Sequence, residues 1–164
     1  MADVLNQNDM FFTAFEPKVQ NRFILIIDNI PVYLIKAAAR PTINNNTITL
    51  DYINVKRKLK GKSEWQDISI TLYDPIVPSG AQACMEWVRL AHESVTGRNG
   101  YADMYKKDIQ IQVLGPVGDI VEQWDIKGAF PNSVNFNGAG LDWANQEALT
   151  IEMTLSYDYA VLQF

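Results

Sequence analysis

LTIEMTLSYDY, residues Leu149–Tyr159, alternates without a break: Leu149, Ile151, Met153, Leu155, Tyr157 and Tyr159 are apolar or aromatic, and Thr150, Glu152, Thr154, Ser156 and Asp158 lie between them. Successive side chains of a strand point to opposite faces. The pattern predicts one long strand, with Leu149, Ile151, Met153 and Leu155 toward a core. Its polar face would meet water, a lumen or a neighbouring subunit. A strand with one wet face belongs in an antiparallel sheet.

Working outward, Ile109, Ile111 and Val113 alternate with Gln110 and Gln112. The turn Gly115–Asp119 then predicts that Ile120–Lys127 pairs back as a hairpin, ended by Gly128-Ala129-Phe130-Pro131. Glu64–Asp74 carries Ile68, Ile70 and Leu72 on one face. The runs Arg22–Asp28 and Val32–Ala39, separated by the turn signal Asn29-Ile30-Pro31, predict another hairpin. Residues 42–60 are β-prone but poor in large buried groups, which predicts an extended, exposed arm. One helix is expected over about residues 80–96. Cys84, Val88, Ala91 and Val95 form its apolar face with Trp87 beside them, Ser79 is its N-cap and Gly97 its stop. The expected fold is mainly β: an antiparallel barrel or sandwich with one flanking α-helix.

The 164 residues suit a single domain, 48% of them are hydrophobic, and the net charge is −5. The sequence pI is about 4.8, which argues against a general nucleic-acid binder. Cys84 is the lone cysteine, so no intrachain disulfide forms. The N-terminal residues read as no signal peptide, and the longest apolar run, Phe23–Ile27, is far shorter than the ~20 residues of a membrane span. No membrane insertion and synthesis in the cytoplasm are therefore expected.

No catalytic constellation stands out. Cys84 and His92 lie eight residues apart, about 80° around a helix, with no third ligand nearby. The carboxylates show no spacing that singles out an acid/base pair, and there is no G-x-S-x-G elbow. The chain is read as a non-enzyme with no cofactor and no metal. Asn45-Asn46-Thr47 matches a glycosylation sequon by chance. Lys56, Arg57, Lys58, Lys60 and Lys62 hold five of the fourteen basic residues. Such a run suits contact with an acidic neighbouring subunit, a solvated edge strand or nucleic acid.

Trp124–Tyr159 contains W-D-I-K-G-A-F-P-N-S-V, then L-D-W, N-Q-E and T-L-S-Y-D-Y. Gly61–Asp74 supplies G-x-x-x-W-x-D-I-S-I-T-L-Y-D, and the helix carries Trp87. In this order and spacing the chain resembles the tail tube proteins of T4-type contractile phages over nearly its whole length. It departs from that pattern at its ends, with extra N-terminal residues and a hydrophobic tail past Asp158-Tyr159.

The resemblance implies one tail-tube domain over residues 1–164, with an arm at about 41–62 and short terminal extensions. It implies a structural virion protein of the tail tube. Its hexameric rings would stack with copies of themselves, conduct DNA without specific binding, and contact sheath, baseplate and tail-terminator proteins. A type VI secretion or extracellular contractile injection tube is the near alternative, and a monomeric β-sandwich binding module or a small hydrolase the remote ones. The subunit-interface candidates are Phe11, Phe12, Phe15, Ile48, Leu50, Tyr52, Lys56, Arg57, Lys58, Lys60 and Phe164. Glu152 and Asp158 are the lumen candidates.

Overall fold

The computed structural model describes residues 16–164. The expectations placed on Phe11, Phe12 and Phe15 lie outside them. Nine strands, β1 (Phe23–Ile26), β2 (Ile35–Ala38), β3 (Thr42–Tyr52), β4 (Val55–Gln66), β5 (Ile68–Tyr73), β6 (Lys107–Leu114), β7 (Ile120–Asn135), β8 (Thr150–Ser156) and β9 (Tyr159–Leu162), join α1 (Gly80–Ala91) and the one-turn α2 (Ala102–Tyr105). Every strand pair is antiparallel. The main sheet runs β1-β6-β7-β8-β5-β2, with β9 on β7, while among the described residues β3 and β4 pair only with each other. Among the described residues the path does not close, so the architecture is a sandwich rather than a barrel.

β7 makes the sandwich. Its first half pairs with β6 and β9, and Phe130–Asn135 pairs with β8. The predicted stop at Gly128–Pro131 is instead a bend within one strand. Gly128 has φ 67°, and a Cβ there would collide with the Asp158 carboxylate. The register shifts between Pro131 and Ser133, a bulge of the kind that accommodates proline in a strand.

The alternation in the C-terminal stretch places its core residues. Ile151, Met153 and Leu155 are at most 1% exposed, and they face Leu72, Ile70 and Ile68 in register. Each such buried aliphatic side chain contributes roughly 1.5–3 kcal/mol over leaving it in water. The stretch is two strands, however, not one. The Asp158 amide donates to the Lys127 carbonyl at 3.0 Å, and the chain turns there onto the other half of β7. Tyr159 is consequently exposed and Ala160 is the inward residue of β9, while Leu149 lies before β8, at the end of the preceding loop, and is exposed there.

Two other expectations change. β1 and β2 form no hairpin. Ile30 does turn back on Ile27, with Asn29 at φ 67°, but the 3-10 turn Val32–Leu34 then redirects the chain. β1 joins β6 and β2 joins β5 at the opposite edge. The helix starts as expected, with Ser79 Oγ accepting from the Gln82 amide at 3.3 Å, but it ends at Ala91. His92 is extended (φ −152°), and the Gly100 amide caps the Ala91 carbonyl at 2.9 Å, which leaves Val95 in solvent. Cys84 and Trp87 bury the helix against the core, and Trp87 Nε1 donates to the Tyr105 carbonyl at 2.7 Å.

Candidate functional site

Cys84 is fully buried, and burial together with Asp74 pushes its thiol up to about 11. His92 is exposed at the helix end, with Nδ1 2.9 Å from Asn99 Oδ1. Among the described residues no cluster of His, Cys, Asp and Glu could hold a metal, and no helix is long and apolar enough to cross a membrane.

Glu122 is a buried carboxylate. Lys18, Arg40 and Trp124 all reach it, with Arg40 Nη1 at 3.4 Å and Trp124 Nε1 at 2.5 Å. Burial raises its pKa, but the hydrogen bonds from Lys18 and Trp124, aided by Arg40, outweigh burial and hold it below the usual value. The cluster fastens the chain before β1 and the residues leading into β3 to one point on β7.

Among the described residues the arm pairs with no strand outside itself. β3 and β4 form a two-stranded ribbon about 35 Å long at ~3.4 Å per residue, closed by the two-residue loop Ile53-Asn54. It extends beyond the expected boundary at 62 to Gln66, so Trp65 belongs to it and packs 6.0 Å from the Tyr157 ring. A bulge between Asn45 and Thr47 places Gly61 against the Asn46 carbonyl, 3.0 Å from where a Cβ would sit. Opposed residues of an antiparallel pair share a face. Beyond the bulge, Ile48 faces Leu59, Leu50 faces Arg57 and Tyr52 faces Val55, and all are exposed. The other face pairs Thr47 with Lys60, Thr49 with Lys58 and Asp51 with Lys56. The ribbon is thus apolar on one side and basic on the other. The expected basic cluster is divided, because Arg57 shares the apolar side.

The remaining candidates are scattered. Glu152 is exposed on the outer face of β8, level with Thr71 and Asn135. That face is rich in hydroxyls and carboxylates: Ser69 lies opposite Thr154, and Asp67 accepts from Ser156 Oγ at 2.7 Å. Asp158 is not part of that face. It sits at the β8–β9 break and pairs with Lys106 at 2.9 Å. Phe164 is exposed, and its carbonyl accepts from the Gln123 amide at 3.1 Å. Among the described residues the outer edges of β1, β2 and β9 bind no strand. A cavity of about 540 Å³ lies against β1 and β2, lined in part by Lys18, Arg22, Lys36 and Arg40.

One surface was not foreseen. Residues 136–149 expose Trp143 completely and Leu141 largely, flanking Asp142. The signal in the sequence was an apolar pair inside a glycine-rich loop, where turn residues alone would be expected.

The chain can be compared with known proteins on this geometry. The family described as T4-like virus tail tube protein gp19 matches residues 19–161. No curated protein matches. Among solved structures, a chain of the anti-feeding prophage tube-terminating cap is 21% identical, with a TM-score of 0.74 over 97% of this chain and 99% of that one. A chain of the PVC extracellular contractile injection system sheath/tube terminator is 21% identical, with a TM-score of 0.73 over 92% and 99%. A chain of the PVC sheath-tube complex is 20% identical, with a TM-score of 0.71 over 98% and 99%. These likenesses establish a shared fold.

Proposed function

We propose that this chain, which belongs to the T4-like virus tail tube protein family, is the subunit of the inner tube of a contractile phage tail. Copies form hexameric rings, the rings stack, and the lumen conducts DNA into the host. The observation that carries this reading is the amphipathic arm, a self-paired ribbon whose apolar face is exposed among the described residues. The open edges of β1 and β2 suit continuation of the sheet into neighbouring copies around a ring. Ile48, Leu50, Tyr52, Lys56, Arg57, Lys58 and Lys60 are then ring-to-ring contacts. Phe164 remains a proposed contact at the chain end.

The hydroxyl and carboxylate face of β8 suits a lumen that must not hold phosphate. Glu152 is the better of the two lumen candidates, because Lys106 offsets the charge of Asp158. The sheath, baseplate and terminator proteins are the proposed partners and the virion tail the proposed location. No catalytic role is assigned.

A tube subunit of an extracellular contractile injection system is the second reading, favoured by the shape similarity to the anti-feeding prophage and PVC chains. Particles isolated from the producing cells separate the two: capsid-bearing tails with DNA support the first, free particles without DNA the second.

Negative-stain micrographs of purified protein test the tube itself. Six-fold rings or tubes are expected, and protein that stays monomeric even on a preformed tube refutes the reading. Reversing Lys56, Arg57 and Lys58 to Glu leaves rings that stack poorly. Normal tube growth by that variant removes the arm from the ring-to-ring contact.

A further inference from the structure

We propose that the loop of residues 136–149 receives the arm of a second copy of this chain in the adjoining ring, with Leu141 and Trp143 as apolar anchors and Asp142 and Glu147 as charge partners. The inference rests on the tube reading and names a contact which that reading leaves unspecified.

Position comes first. Ile68, where the chain returns from the arm, lies opposite Leu155, while Thr150, where the loop joins β8, lies opposite Tyr73. Arm and loop therefore leave from opposite ends of β5, about 17 Å apart along the strand. Two unlike surfaces at opposite ends of one subunit make a head-to-tail contact, and such a contact repeats without limit along an axis.

Chemistry comes second. Trp143 is 106% exposed and Leu141 84%, two large apolar side chains side by side on one loop and open to a partner. Tryptophan is among the residues most enriched at the energetic centres of interfaces. The loop holds Asp142 and Glu147 and no cation. The arm, Thr42–Gln66, holds five cations against Asp51 and Glu64, in a chain whose net charge is −5. Opposite charges would steer the two surfaces together and fix their register.

Preorganisation comes third. The Asn137 amide donates to Asn135 Oδ1, the Ala144 amide to Asp142 Oδ1 and the Glu147 amide to Asn145 Oδ1, each at 3.0 Å. These side-chain turns hold the loop in the shape that presents Trp143, so less order is lost when a partner binds.

The experiment uses the full-length chain, with ring and tube fractions read by sedimentation and negative-stain microscopy. Leu141→Ser with Trp143→Ser leaves rings but lowers pelletable tube by about tenfold or more, the loss expected when interface anchors are removed. Glu147→Lys does the same, and adding Arg57→Glu, at the cation that shares the apolar face of the arm, restores tubes. A cysteine pair beside the anchors, Asn54→Cys at the arm's turn and Ala144→Cys in the loop, cross-links subunits of successive rings on oxidation, and buried Cys84 does not compete.

Tubes as abundant as wild type in the serine variant overturn the proposal, as does failure of the reversed charges to restore assembly. So does a lower melting temperature of the unassembled serine variant, which would make the two side chains structural. Wild-type protein that never forms rings refutes the tube reading itself and is distinguishable from all of these.

Discussion

Excising most of the arm separates what holds the domain together from what joins domains. Asn44 and Glu64 face each other in register, so the nineteen residues 45–63 can be replaced by Asn-Gly, a two-residue turn suited to joining an opposed pair. The base of the arm stays, including Trp65 on Tyr157. The excised strands touch little of the sandwich, so no core contact is lost. Shortening a flexible loop from nineteen residues to two is about three halvings, each worth about 0.6 kcal/mol in closure entropy, hence about 2 kcal/mol in all. Residual pairing within the arm offsets part of that gain. The shortened domain should therefore be between equally stable and about 2 kcal/mol more stable. At about 2–4 °C per kcal/mol for this size, its melting temperature rises by at most ~8 °C.

Urea unfolding of dilute, unassembled protein measures the stability, with a slightly smaller m-value because less surface is exposed. The same variant, concentrated, forms rings and no tubes. A loss of 2 kcal/mol or more would mean that the arm supports the fold, and tubes of normal length would mean that it does not join rings. Either result refutes the reasoning.

Three further outcomes are expected. Leu155→Ala, at a site with no exposure, costs about 2–5 kcal/mol in urea unfolding, while Glu152→Ala on the wet face stays within about 0.5 kcal/mol. Equal costs would show that the inward and outward faces are misassigned. Glu122 titrates below its unfolded value of 4.5, so its contribution is complete above that pH and is lost as pH falls through the depressed folded pKa. The stability gap between wild type and Glu122→Gln should be flat at neutral pH and shrink only in acid, and a gap that grows in acid contradicts this. At pH 8 native Cys84 reacts with a thiol reagent at least about a hundredfold more slowly than in urea, because a pKa near 11 rather than 9 leaves little thiolate. Equal rates would place the thiol at the surface.

The sequence made the core strands legible wherever burial imposes a period. Ile68, Ile70 and Leu72, Ile109 and Ile111, and Ile151, Met153 and Leu155 all face inward as their alternation requires. Pairing was less legible, because turn chemistry is local and strand partners are not. Asn29-Ile30-Pro31 is a turn, yet β1 and β2 travel to opposite edges of the sheet. Gly128 and Pro131 carry the usual stop signals, but the positive φ that Gly128 takes and a bulge at Pro131 let β7 continue through them. Val95 fits the helical period, but the Gly100 amide ends the helix one turn earlier. At the candidate site, composition alone revealed the arm as a solvent-exposed ribbon. Its two faces required the register, which puts Arg57 opposite Leu50 rather than beside Lys56 and Lys58. Trp143 is legible in the sequence as part of L-D-W, but its exposure is not, because neither alternation nor helical spacing on a glycine-rich loop says which way a side chain faces.

β7 also has a mechanical consequence. Its sixteen residues form one covalent cable through both halves of the sandwich, hydrogen-bonded to β6 and β9 at one end and to β8 at the other. Two sheets tied only by loops can slide over a greased core under load. Here, shear between the halves must strip ladders of backbone hydrogen bonds in parallel, so a subunit pulled along this strand resists as a stiff rod until it fails all at once.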